Sequence, residues 1–254
     1  MISSNNTLFV GKVLFELASV GSTNQYALDV LSKSKPSEGT IFITHHQSAG
    51  RGQATNTWES EPNKNLTFSL VLYPTFLSAR QQFFLNQAIS LGVLKTLQYF
   101  IPKKCTIKWP NDLYVDDRKI TGILIQNALK GVTIQSSVVG IGLNVNQALF
   151  TSDAPNPTSI FLETGKAFTL DVVLEYLCQQ LEKYYLLLKA GRFQPLQQEY
   201  EQALFRFQQP YSYKRVDGSV FQGTIVGVTD SGLLRMKTEH GEEQFALKEI
   251  GYIL

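Results

Sequence analysis

Two lysines, an Asn-Asp pair and a glycine are set between apolar runs in the stretch Lys108-Trp109-Pro110-Asn111-Asp112-Leu113-Tyr114-Val115-Asp116-Asp117-Arg118-Lys119-Ile120-Thr121-Gly122-Ile123-Leu124. A lysine ammonium holds a phosphate or carboxylate as a point charge, and an aspartate holds a metal or a hydroxyl. The elements that must position these groups are strands. Leu113 to Val115 reads as a short strand and Ile120 to Gln126 as a buried one, with Asp116-Asp117-Arg118 between them as a hairpin tip. The spacing sets Lys108, Asp112 and Lys119 at the ends of adjacent strands, a cluster suited to a reaction on an anion. Taken alone, Lys119 is an ordinary surface lysine, because most lysines are exposed.

Three further stretches carry chemistry-bearing residues. Gln47-Ser48-Ala49-Gly50-Arg51-Gly52-Gln53, followed by Trp58, is small and polar, and residues 48–56 read as a mobile loop. Its two glycines allow close backbone approach, and Arg51 supplies a fixed charge. Gly140-Ile141-Gly142-Leu143-Asn144-Val145-Asn146 follows a strand over Val132 to Gly140; Asn144 suits either a nucleotide group or a turn. Gly21-Ser22-Thr23-Asn24 precedes Tyr26, Ala27, Leu28, Val30 and Leu31 at helical spacing, with Ser22 or Thr23 as N-cap. One reading is a cap and nothing more. The other is a helix start whose free N–H donors meet a ligand oxygen.

In this order, over roughly the first two-thirds of the chain, the four stretches resemble the signature set of biotin–protein ligases: a Ser-Thr-Asn helix start, a Gly-Arg-Gly loop, Lys-Trp-Pro-Asn-Asp, a Lys-Ile-x-Gly-Ile-Leu strand and Gly-x-Gly-x-Asn. The resemblance implies an ATP-dependent ligase. It would convert biotin to biotinyl-5'-AMP and transfer it to a lysine of a biotin carboxyl carrier protein domain of a biotin-dependent carboxylase. It implies biotin contacts from Ser22, Thr23 and Asn24, from Gln47, Gly50, Arg51, Gly52 and Gln53 of the loop, and from Lys119, Gly122 and Gly142. Trp58, Lys108, Asn111, Asp112, Lys119 and Asn144 are the implied ATP contacts, with Lys119, Arg51 and Asp112 in catalysis and Mg²⁺ at Asp112. Gly122 lacks a side chain where a flat ring can lie, and Pro155-Asn156-Pro157-Thr158-Ser159 resembles the family's Thr-Ser turn before a short helix. The implied fold is α+β: a mixed central sheet flanked by helices, as in class II aminoacyl-tRNA synthetases and biotin synthetases, over residues 1–209. A small SH3-like β-barrel follows over 210–254, where Asp217-Gly218, Asp230-Ser231-Gly232 and His240-Gly241 separate short strands.

The loop departs from the commonest family form, with Gln53 and Asn56 where further arginines usually follow. Two rivals stand beside the main reading. One is a lipoate–protein ligase-like enzyme, which shares the fold; the other is a biotin-binding protein without turnover. The Ser22-Thr23-Asn24 motif begins too early to leave room for an N-terminal DNA-binding domain, so no DNA partner is expected. The expected assembly is a monomer or homodimer.

Elsewhere Lys12 to Leu17, Thr40 to Thr44, Leu66 to Tyr73 and Thr106 to Lys108 read as strands, the first and third of them alternating. Gln82 to Phe100, Leu170 to Leu188 and Phe193 to Phe205 read as helices. Hydrophobic residues make up 43% of the 254 and charged residues 17%, which allows a large core. A net charge of +2, from 23 basic and 21 acidic side chains, does not support broad nucleic-acid binding. Cys105 and Cys178 stand far apart as ordinary reduced thiols, and adjacent His45 and His46 would face opposite sides of a strand rather than share a metal. There is no phosphate loop with a following Lys-Ser/Thr, no secretory signal and no apolar run of transmembrane length, so a cytoplasmic location is expected without a membrane partner.

Overall fold

The computed structural model describes residues 6–52, 56–152 and 156–253. Gln53 and Pro155 lie outside the described residues. The central sheet has seven strands in the order β1-β2-β3-β7-β6-β5-β4. They are β1 (Leu14–Leu17), β2 (Ile41–Thr44), β3 (Leu66–Leu72), β4 (Cys105–Lys108), β5 (Asp112–Val115), β6 (Arg118–Lys130) and β7 (Thr133–Leu143). β1 runs parallel to β2 and every other pairing is antiparallel, so the sheet is mixed. Helix α1 (Thr23–Leu31) covers one face, where Ala27 packs with Phe42, Val71 and Val138. The other face carries α2 (Gln82–Phe100), and α4 (Leu170–Lys189) packs against α2. Short α3 (Ile160–Thr164) precedes α4, and α5 (Phe193–Gln202) follows it.

β3 shows why both faces matter. Its seven residues are all buried, so no polar side faces water. Leu66, Phe68, Leu70 and Leu72 join the main core, while Val71 joins the cluster under α1. Thr67 and Ser69 alternate with these leucines and are also buried. Alternation here separates two covered faces rather than core from solvent. β7 runs on to Leu143, so Gly140 and Gly142 lie inside a strand and not in a turn after it. α5 ends at Gln202, before Phe205, because the chain there turns to bond β4: Ile107 N–H donates to the Ala203 carbonyl and Phe205 N–H to the Ile107 carbonyl.

The strands β8 (Pro210–Arg215), β9 (Val220–Val228), β10 (Leu234–Thr238), β11 (Gly241–Phe245) and β12 (Ile250–Tyr252) form a second, antiparallel sheet in the order β11-β10-β9-β8-β12. Its inward side chains, among them Tyr213, Ile225, Leu234 and Met236, belong to the same apolar cluster as α2 and α4. The contact runs through the central motif. Trp109 Nε1 donates to the Gly232 carbonyl at 3.0 Å, and Tyr200 Oη donates to the Pro110 carbonyl at 2.6 Å.

Both cysteines are buried free thiols, and burial pushes each up to about 12. His45 Nε2 lies 2.8 Å from Glu16 and His46 Nδ1 3.2 Å from Ser19 Oγ, so the two rings serve different partners. Among the described residues no helix is long and apolar enough to cross a membrane.

Candidate active site

The cleft is built on glycines. Gly122 and Gly142 sit directly opposite each other on β6 and β7, leaving a strip of bare backbone in the sheet. The indole of Trp58 lies on that strip. A Cβ at Gly142 would come 2.3 Å from Trp58 Cε2, and one at Gly122 would come 2.9 Å from Cζ3. The flat ring over Gly122 is thus the protein's own indole, and its Nε1 is buried with no hydrogen-bond partner among the described residues. Gly140, opposite Leu124, is bare for a different reason: the Asn24 side chain fills the space a Cβ would take.

The polar end lies at the start of α1. Ser22 is the N-cap with extended backbone, yet its hydroxyl makes no capping bond. Gln47 caps in its place, its Oε1 accepting from Thr23 N–H at 3.0 Å. Ser69 of β3 donates its hydroxyl to Asn24 Oδ1, and its Oγ lies 2.9 Å from Thr23 Oγ1. Asn24 Nδ2 in turn donates to the Leu124 carbonyl and to Gln126 Oε1, both at 3.1 Å. The array is held from beneath, which leaves the Ser22 hydroxyl and the Gln47 amide nitrogen uncommitted by these bonds.

The loop closes the cleft from one side. Trp58 N–H donates to the Gly50 carbonyl at 3.0 Å and Gly52 N–H to the Asn56 carbonyl at 2.7 Å, so its two described ends pair antiparallel with each other. Gly50 permits this closure, since a Cβ there would meet the Trp58 carbonyl at 2.3 Å. Arg51 reaches Gln25 Oε1 at 3.1 Å and lines the cleft.

The charged end is the Lys119–Asp112 pair, Nζ to Oδ2 2.7 Å, with side chains about a quarter and a third exposed. Lys119 Nζ also lies 5.9 Å from the Trp58 ring. Lys119 follows the first residue of β6, Asp112 opens β5 and Lys108 ends β4, the strand-end cluster that the spacing predicts. Polar end, glycine floor and charged end together line an open cleft of about 630 Å³, counted with the solvent at its mouth. The mixed polar and apolar lining is the character of a small-molecule site.

Of the residues singled out in the sequence, Ser22, Thr23, Asn24, Gln47, Arg51, Gly52, Trp58, Asp112, Lys119, Gly122 and Gly142 line this cleft. Gly50, Lys108, Asn111 and Asn144 stand behind the lining. Lys108 Nζ donates to Tyr114 Oη at 3.1 Å and lies about 5 Å from the Tyr114 and Tyr252 rings; burial lowers its pKa, while Asp112 opposes that shift. Asn111 Nδ2 donates to the Ile123 carbonyl at 3.1 Å. Asn144 Nδ2 donates to the Thr158 carbonyl at 2.9 Å, while its buried Oδ1 has no partner among the described residues. Sequence reasoning missed Gly140, Thr67, Phe68 and Thr57 in the lining and Ser69 beneath it. The available signal was Thr67 and Ser69, polar residues at every second position of an apolar strand.

Among the described residues no group of three or more His, Cys, Asp or Glu side chains converges on a metal position. A divalent cation held at Asp112 would therefore take most of its ligands from substrate phosphates and water, which is the usual manner for Mg²⁺.

The model of the biotin/lipoate A/B protein ligase family matches residues 16–144. A biotin–[acetyl-CoA-carboxylase] ligase of Paracoccus denitrificans is 28% identical over 240 residues, which cover 92% of this chain and 98% of that one. A bifunctional ligase/repressor of Bacillus spizizenii is 27% identical over 241 residues, covering 92% and 72%. Among solved structures, the biotin protein ligase from Aquifex aeolicus in complex with biotin and ATP superposes with a TM-score of 0.79 at 25% identity, covering 94% and 98%.

Proposed function

Because the chain belongs to the biotin/lipoate A/B protein ligase family, we propose that its cleft activates biotin with ATP as biotinyl-5'-AMP and passes the biotinyl group to a lysine of a carboxyl carrier domain. The observation that carries this reading is the length-wise polarity of one cleft: uncommitted amide and hydroxyl groups at one end, a glycine floor under an indole, and the Lys119–Asp112 pair at the other. Biotin has the matching order, with a ureido ring, an apolar middle and a carboxylate.

A carboxylate is a poor electrophile, and adenylation supplies AMP as a leaving group. The carboxylate oxygen attacks the α-phosphorus of ATP in line, and pyrophosphate leaves. Two anions approach in this step, so a cation between them lowers the barrier. Lys119 takes that position by releasing Asp112 and bridging the carboxylate and the α-phosphate. Arg51, at the cleft side, adds a second fixed charge. Lys108 sits opposite Asp112 in the strand pairing and adds positive potential from behind. Mg²⁺, when bound through Asp112, neutralises the ATP phosphates. Asn111 fixes the turn before Asp112 through its bond to Ile123. Asn144 keeps its Oδ1 acceptor and the second N–H of Nδ2 beyond the bond to Thr158, a combination that suits a nucleotide hydroxyl. In the second step the neutral amine of the acceptor lysine attacks the acyl carbon, AMP leaves, and the freed Asp112 carboxylate is placed to steer that amine.

The polar end also separates biotin from lipoate. A ureido ring offers one acceptor and two donors, whereas a dithiolane offers none of comparable strength. Lipoate would leave buried polar groups unpaired at about 1–3 kcal/mol each. The test is pyrophosphate release from ATP and Mg²⁺ with biotin and lipoate in parallel. Release with biotin and not lipoate is expected. Release with lipoate alone moves the protein to the other branch of its family, and release with neither, despite tight biotin binding, makes it a binding protein.

A further inference from the structure

Glu163 is a carboxylate with no exposed side-chain surface, on a helix of five residues, outside the cleft. Burying a charge is costly unless it is paired and hydrogen-bonded. Here Arg118 Nη2 lies 2.8 Å from Oε1, Lys103 Nζ lies 2.9 Å from Oε2, and Thr158 Oγ1 donates to Oε1. Two of these partners flank Lys119. Arg118 is its neighbour on β6. Thr158 belongs to the turn that brackets it, where Lys119 N–H donates to the Asn156 carbonyl at 2.8 Å and Thr158 N–H donates to the Lys119 carbonyl at 2.8 Å. Asn144 holds the same turn from its other side, through the Thr158 carbonyl.

We propose that Glu163 is a positioning residue for Lys119: its buried carboxylate locks the 156–158 turn and Arg118 on either side of the Lys119 backbone, and so sets where Nζ stands when it leaves Asp112. The geometry explains why a charge is spent here. Lys119 is the second residue of β6, and among the described residues the ladder partner at that end of the strand is the short hairpin strand β5, whose register shifts between Leu113 and Tyr114. The bridge to residues 156–158 supplies the missing rigidity, and Glu163 is the side chain that ties the bridge to the strand. Glu163 also keeps the Arg118 guanidinium occupied 2.8 Å from its own carboxylate, so Lys119 remains the cation paired with Asp112. Misplacing a reacting group by about 1 Å can cost about 100-fold in rate.

The inference rests on the role given to Lys119 above, and the experiment separates the two. Biotin-dependent pyrophosphate exchange is measured for the wild type, Glu163→Gln, Thr158→Val, Lys119→Ala and Lys119→Ala combined with Glu163→Gln. Folded fraction is checked by thermal melting and active sites are counted by biotin binding. Glu163→Gln should lower kcat about tenfold or more with the biotin KM changed less than about twofold, and Thr158→Val should act in the same direction. In the Lys119→Ala background Glu163→Gln should cost nothing further, because positioning has no object once the lysine is gone. A full additional loss in that background marks a merely structural role and overturns the proposal, as does wild-type kcat in folded Glu163→Gln. If Lys119→Ala itself exchanges at the wild-type rate, the role given to Lys119 fails instead.

Discussion

The residues that shape the cleft act as much through absent atoms as through present ones. Gly142 carries a sharp constraint, because a single methyl there would overlap the Trp58 indole at 2.3 Å. Sub-van-der-Waals approach must be relieved by movement, and the indole, whose backbone N–H is anchored on the Gly50 carbonyl, is the group that moves. Gly142→Ala should therefore leave the fold intact, since β7 keeps its ladder on both sides, while biotin binds more weakly by about tenfold, or about 1.4 kcal/mol. Equilibrium binding of biotin to the folded variant checks it, and unchanged affinity would show that the Trp58 ring does not contribute to the bound site. The same residue shows a limit of reading sequence. The local sequence ends a strand at Gly140 and offers a turn at Asn144. The actual service of Gly140 and Gly142, making room in a strand for Asn24 and Trp58, depends on partners more than a hundred and more than eighty residues away.

At the scale of elements, the start of α1 is completed by another segment. Its N-cap residue is Ser22, as helix-start chemistry predicts, but the bond that satisfies the Thr23 N–H comes from Gln47. Gln47→Ala should cost about 1 kcal/mol in stability, the worth of a lost cap, and should also weaken biotin through the lost amide. Chemical denaturation and biotin titration together test it; a stability loss with unchanged biotin affinity would confine Gln47 to capping. This bond also marks how far the elements could be read. α2 was legible to the residue, Gln82 to Phe100, because its apolar positions are dense and a proline lies just beyond. The cluster of Lys108, Asp112 and Lys119 was legible because hairpin spacing fixes strand ends. The pairing of residues 50–52 with 56–58 was not, since small polar residues suit many conformations. Nor was the bracket around Lys119 from residues 156–158, which only the packing of α3 brings near. Periodicity reports an element's own face; it carries no record of which distant loop completes it.

For the whole molecule, the second sheet is joined to the 108–112 segment rather than hung from it. Trp109 and Pro110 lie between Lys108 and the cleft residue Asp112, and both are bound from outside the central sheet. Trp109 Nε1 donates into the Gly232 turn of the second sheet, and the Pro110 carbonyl accepts from Tyr200 and from Asn86 Nδ2 at 2.9 Å. Gly232, at φ +93, brings its backbone against the Phe83 ring of α2, where a Cβ would stand 2.4 Å away. Lys108 meets the Tyr252 ring of β12 at 4.9 Å. Apolar burial is continuous across all of these contacts, so the two sheets should unfold together in one cooperative transition. Trp109→Phe keeps most of that burial and deletes only the indole donor, leaving the Gly232 carbonyl without this partner. It should lower stability by about 1 kcal/mol, a shift of about 2–4 °C in Tm for a chain of this size, with the transition still single. Calorimetry decides the matter. Two resolved transitions, or a Trp109→Phe variant that melts one sheet while biotin binding survives, would mean that the second sheet is an independent unit. A single shifted transition would mean that the turn holding Lys108 and Asp112 is only as rigid as the sheet it is tied to.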